Sequence, residues 1–188
     1  FDLKMRTVHL MTSSKIKILA ISGSTRSNSS NFKILKYISN CLGPIFEIEI
    51  FDDLENLPHF NPDLDTENPP KEIFIFRNKL IKADGIIICT PEYVFSLPGS
   101  LKNALEWCVS TTIFSNKNTG LITASASGEM GHEQLLLIMK TLEANFDEHT
   151  QLLIQGVRGK VDEEGKIVYE ETAEALQNFI KNFESRFL

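Results

Sequence analysis

The sequence predicts one doubly wound α/β domain, a five-stranded parallel sheet with helices on both faces. Three observations predict it. Short apolar runs at 16–22, 86–90 and 121–124 read as strands buried on both faces. Amphipathic stretches at helical spacing lie between them. The length of 188 residues, 42% of them apolar, gives room for one core, and no composition shift, internal repeat or low-complexity tract marks a second domain. Strands alternating with helices imply parallel pairing through right-handed crossovers.

Ile16 to Ser22 (IKILAIS) is the first strand and opens the domain, expected to span 16–188. Residues 1–15 are expected to be an N-terminal arm, unfolded or vector-derived, with those before Met11 vector-derived or a misassigned start, the alternative being an ordered extra arm. The opening FDLKMRTVHLM lacks the apolar core and small-residue cleavage site of a signal peptide. After a polar loop, Phe32, Leu35, Ile38 and Leu42 stand at helical spacing until Gly43-Pro44 stops them. Phe46 to Phe51 (FEIEIF) alternates apolar and acidic residues, as a strand at the sheet margin does. Residues 52–70, punctuated by Pro58, Pro62, Pro69 and Pro70, read as a long irregular connection. Pro69-Pro70 can open a second helix, whose stripe is Ile73, Phe76, Leu80 and Ile81 and whose end is Ala83-Asp84-Gly85.

Ile86 to Thr90 reads as a central strand and Ser100 to Val109 as a helix. Leu121 to Ala124 is the fourth strand, after a turn at Asn118-Thr119-Gly120. A helix over His132 to Ala144, a short strand at Leu152 to Ile154, a glycine-rich excursion through Gly156, Gly159 and Gly165, and a helix from Thr172 to Phe187 complete the chain.

A net charge of -6 and a pI near 5.3 argue against nucleic acid or an anionic membrane as partner and for a small molecule. Cys41, Cys89 and Cys108 are odd in number and widely spaced, with no CxxC or other metal-ligand spacing. That usage fits a reduced cytoplasm, and no apolar run is long enough to span a bilayer.

In an open α/β sheet, ligands bind beyond the carboxyl ends of the strands, where the strand order reverses. Three loops emerge at that edge. In the first, residues 23–31, Gly23 allows a tight turn, the hydroxyls and the Asn31 amide offer donors, and Arg26 supplies a charged fork beside a helix N-terminus. Ser30 or Asn31 is the expected N-cap. The loop has neither GxxxxGK[ST] nor GxGxxG, which leaves a monophosphate as its ligand, and it lacks the Cys-x5-Arg of a cysteine phosphatase. In the second, residues 90–99, two prolines and a glycine restrain backbone groups that could meet the polar edge of a flat ring, with Tyr93 and Phe95 between them. In the third, residues 125–131, small residues permit close approach of backbone to a ligand. Taken singly, each loop is equally compatible with an ordinary capped or core-packed turn.

Taken together they are more specific. Gly23-Ser24-x-Arg26-x-x-Ser29-x-Asn31, then Pro91-Glu92-Tyr93, then Pro98-Gly99-x-Leu101-Lys102-Asn103-Ala104-x-x-Trp107 resemble the NADPH-dependent FMN reductase family over nearly the whole domain. The resemblance implies a flavodoxin-like sheet of strand order 2-1-3-4-5. It implies that Ser24, Arg26, Ser29 and Asn31, with Thr25 and Ser30 among them, surround the phosphate of FMN. Glu92, Tyr93 and Phe95, with Pro91 and Val94 beside them, would line the isoalloxazine ring, and Ser125, Ala126, Ser127 and Gly128 would complete the ring pocket. It further implies NADPH or NADH as donor and a ping-pong cycle ending on a quinone, free flavin, azo compound or metal oxyanion. The cofactor would carry the chemistry, with no catalytic side chain and no metal. A homodimer or homotetramer is implied too, with the helix after Pro98-Gly99 as candidate contact.

Two positions depart from the family pattern. Val94 stands where the family usually has asparagine, which removes an amide near the flavin, and His132 stands where a second glycine is common. His132, opening a helix, is expected to be a solvated surface residue outside the site. The alternative to an enzyme is a flavodoxin-like carrier or sensor that holds FMN and takes electrons from a protein partner.

Overall fold

The computed structural model describes residues 15–188, so the expected N-terminal arm, Lys15 apart, lies outside the described residues. The elements are β1 (Ile16–Ser22), α1 (Ser30–Cys41), β2 (Phe46–Phe51), α2 (Lys71–Lys82), β3 (Gly85–Thr90), α3 (Gly99–Glu106), β4 (Asn118–Ala124), α4 (Glu129–Thr141), β5 (Gln151–Ile154) and α5 (Glu170–Glu184). All strand pairs are parallel, in the order β2-β1-β3-β4-β5. The chain leaves β1 in one direction for β2 and in the other for β3, so the reversal, and with it a crevice, lies between β1 and β3.

Strand periodicity divides the interior into two cores. On β3, buried at every position, Ile86 and Ile88 join Ile73, Phe76 and Leu80 of α2, Leu101 of α3 and Leu135 of α4. Ile87 and Cys89 point the other way, to Ile34, Leu35 and Ile38 of α1 and Leu176, Phe179 and Phe183 of α5. Neighbouring residues of one strand therefore serve opposite layers, and an uninterrupted apolar run is what such a strand needs. β2 is an edge strand, as expected, with Glu47 and Glu49 exposed.

Several boundaries differ from the sequence expectation, each for a physical reason. Asn118-Thr119-Gly120 is no turn; it pairs with Gly85, Ile86 and Ile87 as the first half of β4. Gly120 is there for packing, since a Cβ would sit 2.6 Å from Phe179 Cζ. Ile81 is exposed, leaving Ile73, Phe76 and Leu80 as the stripe of α2. Residues 52–70 are less irregular than expected, with 3-10 turns at Leu54–Asn56 and Pro62–Leu64 and with Leu54 and Leu57 buried. α3 stops at Glu106, and Trp107 caps it while its indole donates to the Pro58 carbonyl at 2.8 Å, which pins the connection. α1 begins at Ser30 with Leu42 as its cap, α4 begins at Glu129, and α5 ends at Glu184.

Candidate functional site

At the carboxyl ends of β1, β3, β4 and β5 lies a cavity of about 910 Å³. That is near the top of the range of about 300–1,000 Å³ for small-molecule sites.

The loop after β1 forms one end. Gly23 N donates to Cys89 O at 2.8 Å, which keeps β1 against β3 to the first loop residue, and a Cβ on Gly23 would lie 2.3 Å from Thr90 Oγ1. Ser24 Oγ accepts from Arg26 N at 3.3 Å and Ser29 Oγ from Phe32 N at 3.1 Å. Both hydroxyls keep their protons as donors. Ser29, in extended backbone at φ -78° and ψ 148°, is the N-cap of α1, which corrects the expectation of Ser30 or Asn31. The N–H groups of Thr25, Ser27, Asn28, Ser30 and Asn31 meet no acceptor among the described residues. Together with the positive end of α1 they make an anion site. Arg26 lines the cavity; Thr25 is exposed and does not. The Asn31 side chain is largely spent on structure. Its amide donates to Ala124 O at 3.2 Å and its Oδ1 accepts from the Cys89 thiol at 3.3 Å, tying α1 to β4 and β3.

The loop after β3 forms the side wall through Pro91, Glu92 and Tyr93. The Glu92 carboxylate turns away to α4, accepting from Gly131 N at 2.8 Å, and the Glu92 carbonyl accepts from Ser125 Oγ at 3.4 Å. Tyr93 and Ser96 exchange backbone hydrogen bonds of 2.9 and 3.1 Å around a two-residue turn. Its central residues, Val94 and Phe95, are left-handed at φ 53° and 56°. They are 94% and 70% exposed, and neither lines the cavity, against the expectation that both border the ring. Asparagine tolerates the left-handed region and β-branched residues do not. Val94 therefore changes the backbone preference of the turn, while its side chain meets solvent.

Of the third loop, Ser125 and Ala126 line the cavity while Ser127 and Gly128 do not. Gly128, at φ 92°, is the N-cap of α4, so residues 129–131 belong to the helix. The sequence reading missed the wall opposite, formed by Val157, Arg158, Val161, Asp162 and Glu163 with Lys33 of α1. This excursion folds back through a Val161–Ile167 bridge and is tied down by Lys33 Nζ donating to Asp162 O at 2.9 Å. The signal was topological, for the loop after β5 also leaves at the carboxyl edge.

His132 is half-buried, its Nδ1 3.0 Å from Thr123 Oγ1, not solvated as expected. Burial holds its pKa below 6.5 against the opposing influence of Gln151 and Glu133. Its ring packs against Thr123 of β4 and does not line the cavity. Among the described residues, no group of His, Cys, Asp or Glu could hold a metal, and no helix is long and apolar enough to cross a membrane.

Residues 16–157 match the model of a family described as NADPH-dependent FMN reductase. An NAD(P)H-dependent FMN reductase of Pseudomonas aeruginosa is 30% identical over 171 residues, 88% of this chain and 91% of the relative. A 2-hydroxy-1,4-benzoquinone reductase of a Burkholderia species is 29% identical over 175 residues, 89% of this chain and 94% of the relative. Among solved structures, FerB, a flavoenzyme NAD(P)H:(acceptor) oxidoreductase from Paracoccus denitrificans, superposes with a TM-score of 0.79 at 23% identity, covering 90% of this chain and 95% of its own. That likeness shows the fold, which is the flavodoxin-like one expected.

Proposed function

The chain belongs to the NADPH-dependent FMN reductase family and is an oxidoreductase working with FMN and NAD(P)H, and from that premise we propose that the cavity beyond β1, β3 and β4 is its flavin site, from which a quinone or another small acceptor draws electrons. One observation carries the reading: free N–H groups, two hydroxyl donors and Arg26 crowd one end of a cavity whose other walls include Pro91, Tyr93, Ala126 and Val157. A phosphate monoester on a flat ring system is the chemistry those walls fit.

Ser24, Arg26, Ser29 and Ser30 would hold the phosphate, with the α1 amides and without a metal. Asn31 would act by fixing α1 against the sheet. Backbone groups of 91–93 and 124–126 would orient the ring, and Tyr93, half exposed at the rim, would border the face where donor and acceptor come in turn. FMN, when bound, supplies the redox chemistry, accepting two electrons from NAD(P)H and yielding them to the acceptor. No side chain in the cavity need be a nucleophile.

Cys41, Cys89 and Cys108 are free thiols, a usage that fits a reducing cytoplasm. An apolar groove between α3 and α4, with Val109 and Leu137 exposed beside it, supports assembly as a homodimer or homotetramer.

The test is NADPH oxidation by the purified chain with FMN and a benzoquinone. Sustained turnover that needs all three supports the reading. A chain that retains FMN yet leaves NADPH untouched with quinone, azo and flavin acceptors is a carrier instead.

A further inference from the structure

The Tyr93–Ser96 turn holds a conformation that its own residues resist. Left-handed backbone disfavours β-branched Val94 most of all, and Phe95 follows it in the same region. Burial does not compensate, because both side chains face solvent.

The restraint comes from α4. Gln134 Nε2 donates to Phe95 O at 3.1 Å, and its Oε1 accepts from Ser96 Oγ at 2.6 Å. One turn earlier on the same face, Gly131 N donates to the Glu92 carboxylate, and a Cβ on Gly131 would press to 3.1 Å from Glu92 Cβ and Cγ. α4 itself is anchored in the core by Leu135 and Met139, so Gln134 is free to serve the turn.

We propose that Gln134 is a positioning residue for the flavin site: by gripping Phe95 and Ser96 it holds the strained turn, and through the turn it keeps the Pro91–Tyr93 wall against the ring. The inference rests on the cavity being the flavin site.

FMN titrations of the apo chain, followed by quenching of flavin fluorescence, test it in the parent, Gln134→Ala, Val94→Asn and the double variant. Gln134→Ala should weaken FMN about fivefold to tenfold, the loss expected for two hydrogen bonds. In the double variant, asparagine takes the left-handed conformation unaided, and affinity should return to within about twofold of Val94→Asn alone. Gln134→Glu keeps the acceptor for Ser96 but sets a carboxylate against Phe95 O. It should bind weakly at neutral pH and recover on acidification, when the protonated carboxyl can donate. Unchanged affinity in Gln134→Ala, or a double variant as weak as Gln134→Ala, overturns the inference while leaving the flavin site standing. A parent chain that takes up no FMN overturns the site reading and this inference with it.

Discussion

Two loops at the carboxyl edge of the sheet border the cavity, and they keep their shapes by opposite means. The loop at 23–31 adopts what its own residues prefer: Ser29 caps a helix from ordinary extended backbone, and Ser24 bonds to a neighbour two residues on. The turn at 93–96 adopts what its residues resist, held by one side chain, Gln134, of a helix some forty residues further along. A phosphate-type site can thus be assembled from local preferences. The turn beside the cavity's side wall is imposed by tertiary structure, and strain concentrates there.

Substitutions that break this contrast should differ in size and in sign. The largest effect is expected from Gly23→Ala, where the new Cβ meets Thr90 at 2.3 Å and the β1–β3 pair must part. Overpacking of this kind costs about 2–3 kcal/mol, read as a lowered denaturant midpoint. Ser29→Ala and Val94→Asn should follow, with opposite signs. The first removes a cap and should destabilise by about 1 kcal/mol; the second relieves left-handed strain and should stabilise by about 1 kcal/mol. Equal signs for the two would erase the distinction between the loops.

The same contrast governs how far the sequence could be read. β1 and β3 were legible because strands buried on both faces must be continuously apolar, and the strand order followed from the family resemblance. The first half of β4 was not, because Asn118 and Gly120 look like turn residues until Phe179 is seen against the glycine. In the candidate site, Ser24, Arg26 and Ser29 announced themselves through local chemistry. Val157, Arg158 and Asp162 reach the cavity on the loop after β5, which is tied to α1 by Lys33 donating to Asp162 O, a contact that no short window contains. Val94 was read as a lost amide, when the sign of its φ, which sequence near it does not encode, is what gives the position meaning.

The most direct test of the central claim is to compare FMN with riboflavin, which lacks only the phosphate, in fluorescence titrations of the apo chain and of Arg26→Ala. If the 24–31 loop is the phosphate cradle, FMN should bind at least about tenfold tighter than riboflavin, and Arg26→Ala should narrow that gap, as loss of a charge-assisted bond does. Equal affinity for the two flavins in the parent chain would contradict the account, for it would mean that the cavity holds its ring without the loop.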